Sequence, residues 1–141
     1  MLLTRGVMVI ALLAVFPGIP AHGQERLASA AAAARRAWAG HRMEAMVAGA
    51  ATVRVQLPGS RSSAAMPPGQ AVATLEAFLR GSIEVEVQVI SARETGGGRG
   101  YVELRRSFRE RGTQELRTHR VLLGYREGGG RWILAEVRVL D

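Results

Sequence analysis

The spacing of hydrophobic and polar positions is mainly helical as far as Gly81, with one short strand in between, and of period two beyond it. From Glu25 to Ala39 the apolar residues Leu27, Ala31, Ala34 and Trp38 recur at helical spacing, and Met43, Met46 and Val47 mark a second, shorter helix over about Arg42–Ala48. Gly40 and Gly49 stop the two in turn. The alanine run predicts helix instead of low complexity, because alanine is the best helix former. Thr52–Leu57 alternates Val53 and Val55 against Arg54 and Gln56, as a strand does, and Pro58-Gly59 turns the chain. Ser60–Pro67 is a loop. A third helix opens at Pro68 and carries Ala71, Leu75, Phe78 and Leu79 on one face as far as Gly81. Beyond it the period is two, predicting four long antiparallel strands over Ile83–Arg93, Tyr101–Arg109, Thr113–Arg126 and Arg131–Leu140, joined by glycine-containing turns. Helices followed by strands, without strict alternation, give an α+β fold with the helices gathered on one face of an antiparallel sheet.

The first 23 residues stand apart from this pattern. Arg5, the apolar stretch Val7–Phe16 and the small residues around Ala21-His22-Gly23 form a secretion signal cleaved after Gly23, and Pro17 and Pro20 break the helix that a membrane anchor would need. The sequence therefore divides into a signal peptide, 1–23, and one domain, 24–141, with a periplasmic or secreted location and no stable membrane span after cleavage. There is no cysteine to staple it. All 19 basic residues are arginine, against 12 acidic ones, for a formal net charge of +7. The arginines are scattered over helices, strands and turns, which fits a GC-rich codon preference and argues against a nucleic-acid surface, although a positive field still favours anions.

The order helix, helix, strand, helix, four strands resembles the nuclear transport factor 2-like superfamily. Ala39-Gly40-His41-Arg42-Met43-Glu44-Ala45-Met46 is similar to the opening of that superfamily's second helix, and Arg131-Trp132-Ile133-Leu134 looks like the start of its last strand. More narrowly, Leu57-Pro58-Gly59, Gln70-Ala71 through Phe78, Thr118-His119-Arg120-Val121-Leu122-Leu123 and Ile133 through Val139 resemble a group of small uncharacterised bacterial exported proteins within it. The resemblance implies a cone: a curved antiparallel sheet with helices packed on its concave face around a pocket. Ketosteroid isomerases of this superfamily need a carboxylate base facing a tyrosine or protonated acid. This chain departs from that pattern, since its only aspartate is Asp141 and no tyrosine lies on the first helix.

Strand parity supplies the candidate site. With Glu110-Arg111-Gly112 as a three-residue turn, one face of the sheet collects Val85, Val87, Val89, Val102, Leu104, Phe108, Leu116, Leu122, Trp132, Leu134 and Leu140, together with Arg106, Thr118, Arg120, Glu136 and Arg138. Charged groups are not buried without partners. Arg106, Thr118, Arg120, Glu136, Arg138 and Trp132 are thus expected to line a pocket for a small acidic or polar ligand. The competing structural readings are a Glu136–arginine network closing the cone, or a bulge that turns some of these residues outward. The opposite face carries Glu84, Glu86, Gln88, Glu103, Arg105, Glu115 and Arg117, then an apolar run of Val121, Leu123, Tyr125, Ile133, Ala135, Val137 and Val139. That run predicts a homodimer through Val121, Leu123, Tyr125, Ile133, Val137 and Val139, with a covering Ser60–Pro67 loop as the alternative. His41 and His119 lack metal-ligand spacing, and no cofactor motif is present. The expectation is a non-catalytic exported binding module. The alternatives are an isomerase, dehydratase or hydrolase-like enzyme using Glu136 and His119, and an interaction domain acting through its sheet. A cone filled by side chains would favour the last.

Overall fold

The computed structural model describes residues 25–141. The expected signal peptide lies outside the described residues. Three helices, α1 (Leu27–Ala39), α2 (Met43–Val47) and α3 (Pro68–Leu79), and five strands, β1 (Arg54–Gln56), β2 (Ser82–Gly96), β3 (Arg99–Glu110), β4 (Leu116–Gly128) and β5 (Arg131–Leu140), follow the predicted order. The strands form one curved sheet in the order β1-β5-β4-β3-β2. It is mixed, because β1 runs parallel to β5 while the other pairs are antiparallel. No helix among the described residues is long and apolar enough to cross a membrane.

The expected face of α1 is buried, with Ala30 and Ala37 added to Leu27, Ala31, Ala34 and Trp38. Its small side chains let the helix lie close to the sheet: a Cβ on Gly100 of β3 would stand 2.8 Å from Leu27 Cδ2. Glu25 ties the start of the helix to the β4–β5 turn, donating its backbone N–H to the Gly130 carbonyl at 2.9 Å and accepting from the Trp132 N–H at 3.2 Å. The loop over residues 60–67 runs beside β1, with reciprocal Val53–Met66 backbone bonds of 2.9 and 3.0 Å. It pairs along the sheet's edge, and so protects exposed strand hydrogen-bonding groups.

Of the departures from simple alternation, three set which side chains of β4, β5 and the start of β2 face the helices. Between β3 and β4, Arg109 pairs with Leu116, so residues 110–115 connect the strands. Gly112 is left-handed (φ 82°), as expected, but the connection is longer than a three-residue turn and shifts the parity of β4 by one. Val121, Leu123 and Tyr125 therefore point inward, and Leu116, Thr118, Arg120 and Leu122 outward. In β5 a bulge at Ala135, between the pairs Gly124–Glu136 and Tyr125–Leu134, flips parity within the strand. Trp132 and Leu134 face inward as expected; so do Val137 and Val139, whereas Glu136, Arg138 and Leu140 turn outward. In β2 a bulge at Val85 leaves that residue 49% exposed and brings Glu84 inward, opposite Phe108.

Val121, Leu123, Val137 and Val139 are fully buried in the core and Tyr125 nearly so, which removes the apolar outer patch on which the homodimer expectation rested; Ile133 alone of that set faces outward. The cone's interior is packed with Trp38, Met43, Leu75, Leu79, Leu104 and Leu134, which leaves no central pocket there among the described residues, but a crevice of about 330 Å³ stays open at the rim beside Phe78, Phe108 and His119.

Candidate functional site at the mouth of the inner face

Alternation in β3 sends Val102, Leu104, Arg106 and Phe108 toward the helices, and Arg106 ends with no exposed surface. A lone buried guanidinium would be prohibitively costly. The β2 bulge resolves this by presenting Glu84, whose side chain is 6% exposed, to the same spot. Arg106 Nε donates to Glu84 Oε2 at 3.2 Å and Nη2 donates to Oε1, a two-pronged pair. His41 Nε2 lies 3.1 Å from the same Oε1. Aromatic rings enclose the cation: its central carbon is 3.8 Å from the Phe108 ring centre, 5.7 Å from Trp38 and 5.8 Å from Phe78. Burial lowers the pKa of Arg106 from its ordinary value, and the attraction and hydrogen bonds of Glu84 oppose that shift.

His119 stands opposite Arg106 on β4. Its ring packs 4.7 Å from Phe108 and 6.0 Å from Phe78, and its Nε2 is 3.3 Å from Asp141 Oδ1. Burial, and next the positive charge of Arg106, push the imidazole pKa down; Asp141 pulls it part of the way back. The tautomer that donates Nε2–H to Asp141 leaves Nδ1 as an acceptor. That Nδ1, Arg106 Nη1 and Trp38 Nε1 are buried without a hydrogen-bond partner among the described residues. Phe78, Phe108, His119, Ser82 and Asp141 line a crevice of about 330 Å³ in front of this knot.

The six expected site residues are thus divided. Arg106 is buried on the inner face beside the crevice, and its carboxylate partner is Glu84, not Glu136. Trp132 is buried at the far end of the sheet, near Glu25. Thr118 and Arg120 lie on the outer face, where Arg120 pairs with Glu103. Glu136 and Arg138 also face outward, 3.9 Å apart, and Arg138 donates to Gln56 at 3.0 Å. His119 and Glu136 occupy opposite faces of the sheet, so they cannot share one substrate. Sequence reasoning missed Glu84, Phe78 and Asp141. The one available signal was that a buried Arg106 demands a carboxylate; a bulge that reassigns Glu84 leaves no local mark.

Three helices on the inner face of a curved, unclosed sheet of this order make the nuclear transport factor 2-like fold. Solved structures with which the chain shares it include a DUF4783 family protein from Bacteroides uniformis, at 13% identity and TM-score 0.65, covering 78% of this chain and 94% of that one. A ketosteroid isomerase-like protein from Erwinia carotovora atroseptica aligns at 14% identity and TM-score 0.64, over 81% and 92% of the two chains. A putative dehydratase of the same fold family from Streptomyces avermitilis aligns at 13% identity and TM-score 0.58, over 81% and 91%. At such identities the likeness establishes the fold and no activity. No protein-family model and no curated protein sequence matches the chain.

Proposed function

We propose that the domain is an exported, non-catalytic binding module that takes a small acidic or polar ligand in the crevice between Phe78, Phe108 and His119. The observation that carries this reading is a donor and an acceptor left unmet beside the crevice. His119, which lines it, keeps Nδ1 as an acceptor in its neutral form, and Arg106, packed against the lining rings of Phe78 and Phe108, keeps Nη1 as a donor, both without protein partners among the described residues. Buried groups of this kind are normally satisfied, and an unmet one costs about 1–3 kcal/mol. A ligand bearing a carbonyl or carboxylate beside a hydroxyl would satisfy both kinds, with its flat body between the two phenyl rings. Binding is favoured over turnover because Glu84 is already committed to Arg106, and Glu110, which lines the crevice, to Arg117.

Thermal-shift screening of small carboxylic acids and hydroxy-carbonyl compounds tests the reading. A ligand at a hundredfold excess over its Kd stabilises the protein by about 2.7 kcal/mol, and Phe78→Ala or His119→Leu should abolish that gain. A screen in which no such compound stabilises the parent, or one whose hits stabilise both variants equally, counts against the crevice. The His119–Asp141 contact supports a second reading, proton transfer by His119; it requires that a bound carbonyl compound be converted and that His119→Gln stop conversion while retaining binding. Export is tested separately by the intact mass of protein recovered outside the cytoplasm, which should begin at Gln24.

A further inference from the structure

On the outer face of the sheet, Tyr101, Gly124, Glu136 and Arg54 form one cross-strand row, because Tyr101 pairs with Gly124, Gly124 with Glu136 and Glu136 with Arg54. Arg99, Arg126 and Ile133 form the next row on that face. Gly124 has no side chain to fill the space between its neighbours. A Cβ there would stand 3.5 Å from Tyr101 Cε1 and 3.5 Å from Glu136 Oε2, so ring and carboxylate flank a notch floored by backbone. The notch belongs to a cleft of about 600 Å³.

The charges around this cleft are unbalanced. Arg54, Arg99 and Arg126 all line it, and none has an ion pair or side-chain hydrogen bond among the described residues. Elsewhere on the sheet Arg106, Arg117 and Arg120 are each held by a glutamate. Two acids line the cleft against Arg54, Arg99 and Arg126, namely Glu127 and Glu136, and Glu136, beside Gly124, already lies 3.9 Å from Arg138. Tyr101 keeps 46% of its surface exposed beside the notch, although an aromatic ring gains by being covered.

We infer that this cleft is a second binding site, separate from the inner crevice, for an organic anion, carboxylate or phosphate, joined to a flat apolar body. The charged end meets Arg99 and Arg126, whose guanidinium forks suit two-pronged contacts with either group. The flat body lies over Gly124 against Tyr101, where no Cβ blocks its approach. Glu136 disfavours a second negative charge at that end, so a single anionic terminus is selected.

The test follows the backbone amide resonances of the isotope-labelled chain during titration with phenyl phosphate, benzoate, inorganic phosphate and benzyl alcohol. Saturable shifts centred on Gly124 and Ala135 are expected with the first two, and their relative affinity separates the phosphate from the carboxylate source. The double variant Arg99→Gln, Arg126→Gln should bind roughly tenfold or more weakly with an unchanged melting temperature, since both side chains are exposed. Inorganic phosphate, which lacks the flat body, should bind more weakly than phenyl phosphate, and benzyl alcohol should leave these amides still. Unmoved Gly124 and Ala135 amides, parent-like affinity in the double variant, or equal shifts from benzyl alcohol would each overturn the inference. Inorganic phosphate binding as tightly as phenyl phosphate would overturn the assigned ligand class. Shifts at Phe78 and His119 instead would assign these compounds to the inner crevice and also overturn it.

Discussion

A guanidinium without exposed surface, caged by three aromatic rings, depends on its single carboxylate. Attraction to Glu84 offsets a desolvation cost of several kcal/mol, and removing one partner of such a buried pair typically destabilises by about 3–5 kcal/mol. Glu84→Ala is therefore expected to lower unfolding free energy by about that amount in denaturant titrations, with Glu84→Gln milder because its amide oxygen still accepts. Glu136→Ala, on the solvated outer face, should stay within about 0.5 kcal/mol of the parent. The reverse ranking would mean that Glu136, as parity alone suggested, is the true partner of Arg106. His119 supplies a pH dependence. Its folded pKa is below the ordinary value of about 6.5, so the unfolded chain takes up the proton first as pH falls. Its contribution to stability is complete above that value and is lost on acidification toward the folded pKa. Between pH 7 and 5 the parent should lose more stability than His119→Gln; parallel curves would show a solvated imidazole.

Among the elements, the α1–α2 junction shows what the site demands of its scaffold. Arg42 N–H donates to the Ala37 carbonyl at 2.7 Å and His41 N–H to the Trp38 carbonyl at 3.0 Å, the paired bonds of a left-handed helix cap. Glycine usually holds the left-handed position, yet here it is His41, with φ 52°, while Gly40 is not left-handed. Such a conformation costs a side chain roughly 1–2 kcal/mol, and at this position it delivers the imidazole to Glu84. His41→Ala keeps the strain and loses the contact; His41→Gly loses the contact but also relieves the strain. The glycine variant is expected to be more stable than the alanine variant by about 1 kcal/mol in thermal or chemical unfolding. Equal stabilities would show that the turn relaxes freely and that no strain is stored for the Glu84 contact.

For the whole molecule, the packed interior and the two faces of the sheet are set by register. Leu122 and Leu123 are neighbours in sequence with opposite fates, the first partly exposed on the outer face and the second with no exposed surface. Leu123→Glu should forfeit the cooperative fold, because it places a charge in the core without a partner, whereas Leu122→Glu should cost no more than about 1 kcal/mol. Circular dichroism melts of the two variants read this directly. A tolerated Leu123→Glu beside an unfolded Leu122→Glu would restore the register of a three-residue β3–β4 turn.

Local pattern was enough to give the order and type of every element, the limits of β5, the buried stripe of α1 and the inward direction of Arg106, since each depends on periodicity within one segment. The partner of Arg106, the split of the expected six-residue site and the face on which Val121, Leu123, Val137 and Val139 lie were decided only by tertiary structure. A long β3–β4 connection and the bulges at Val85 and Ala135 each change parity by one residue. That choice is made by how paired strands bury apolar surface and satisfy a trapped charge, energies that belong to the assembled sheet and leave no signature in any single strand.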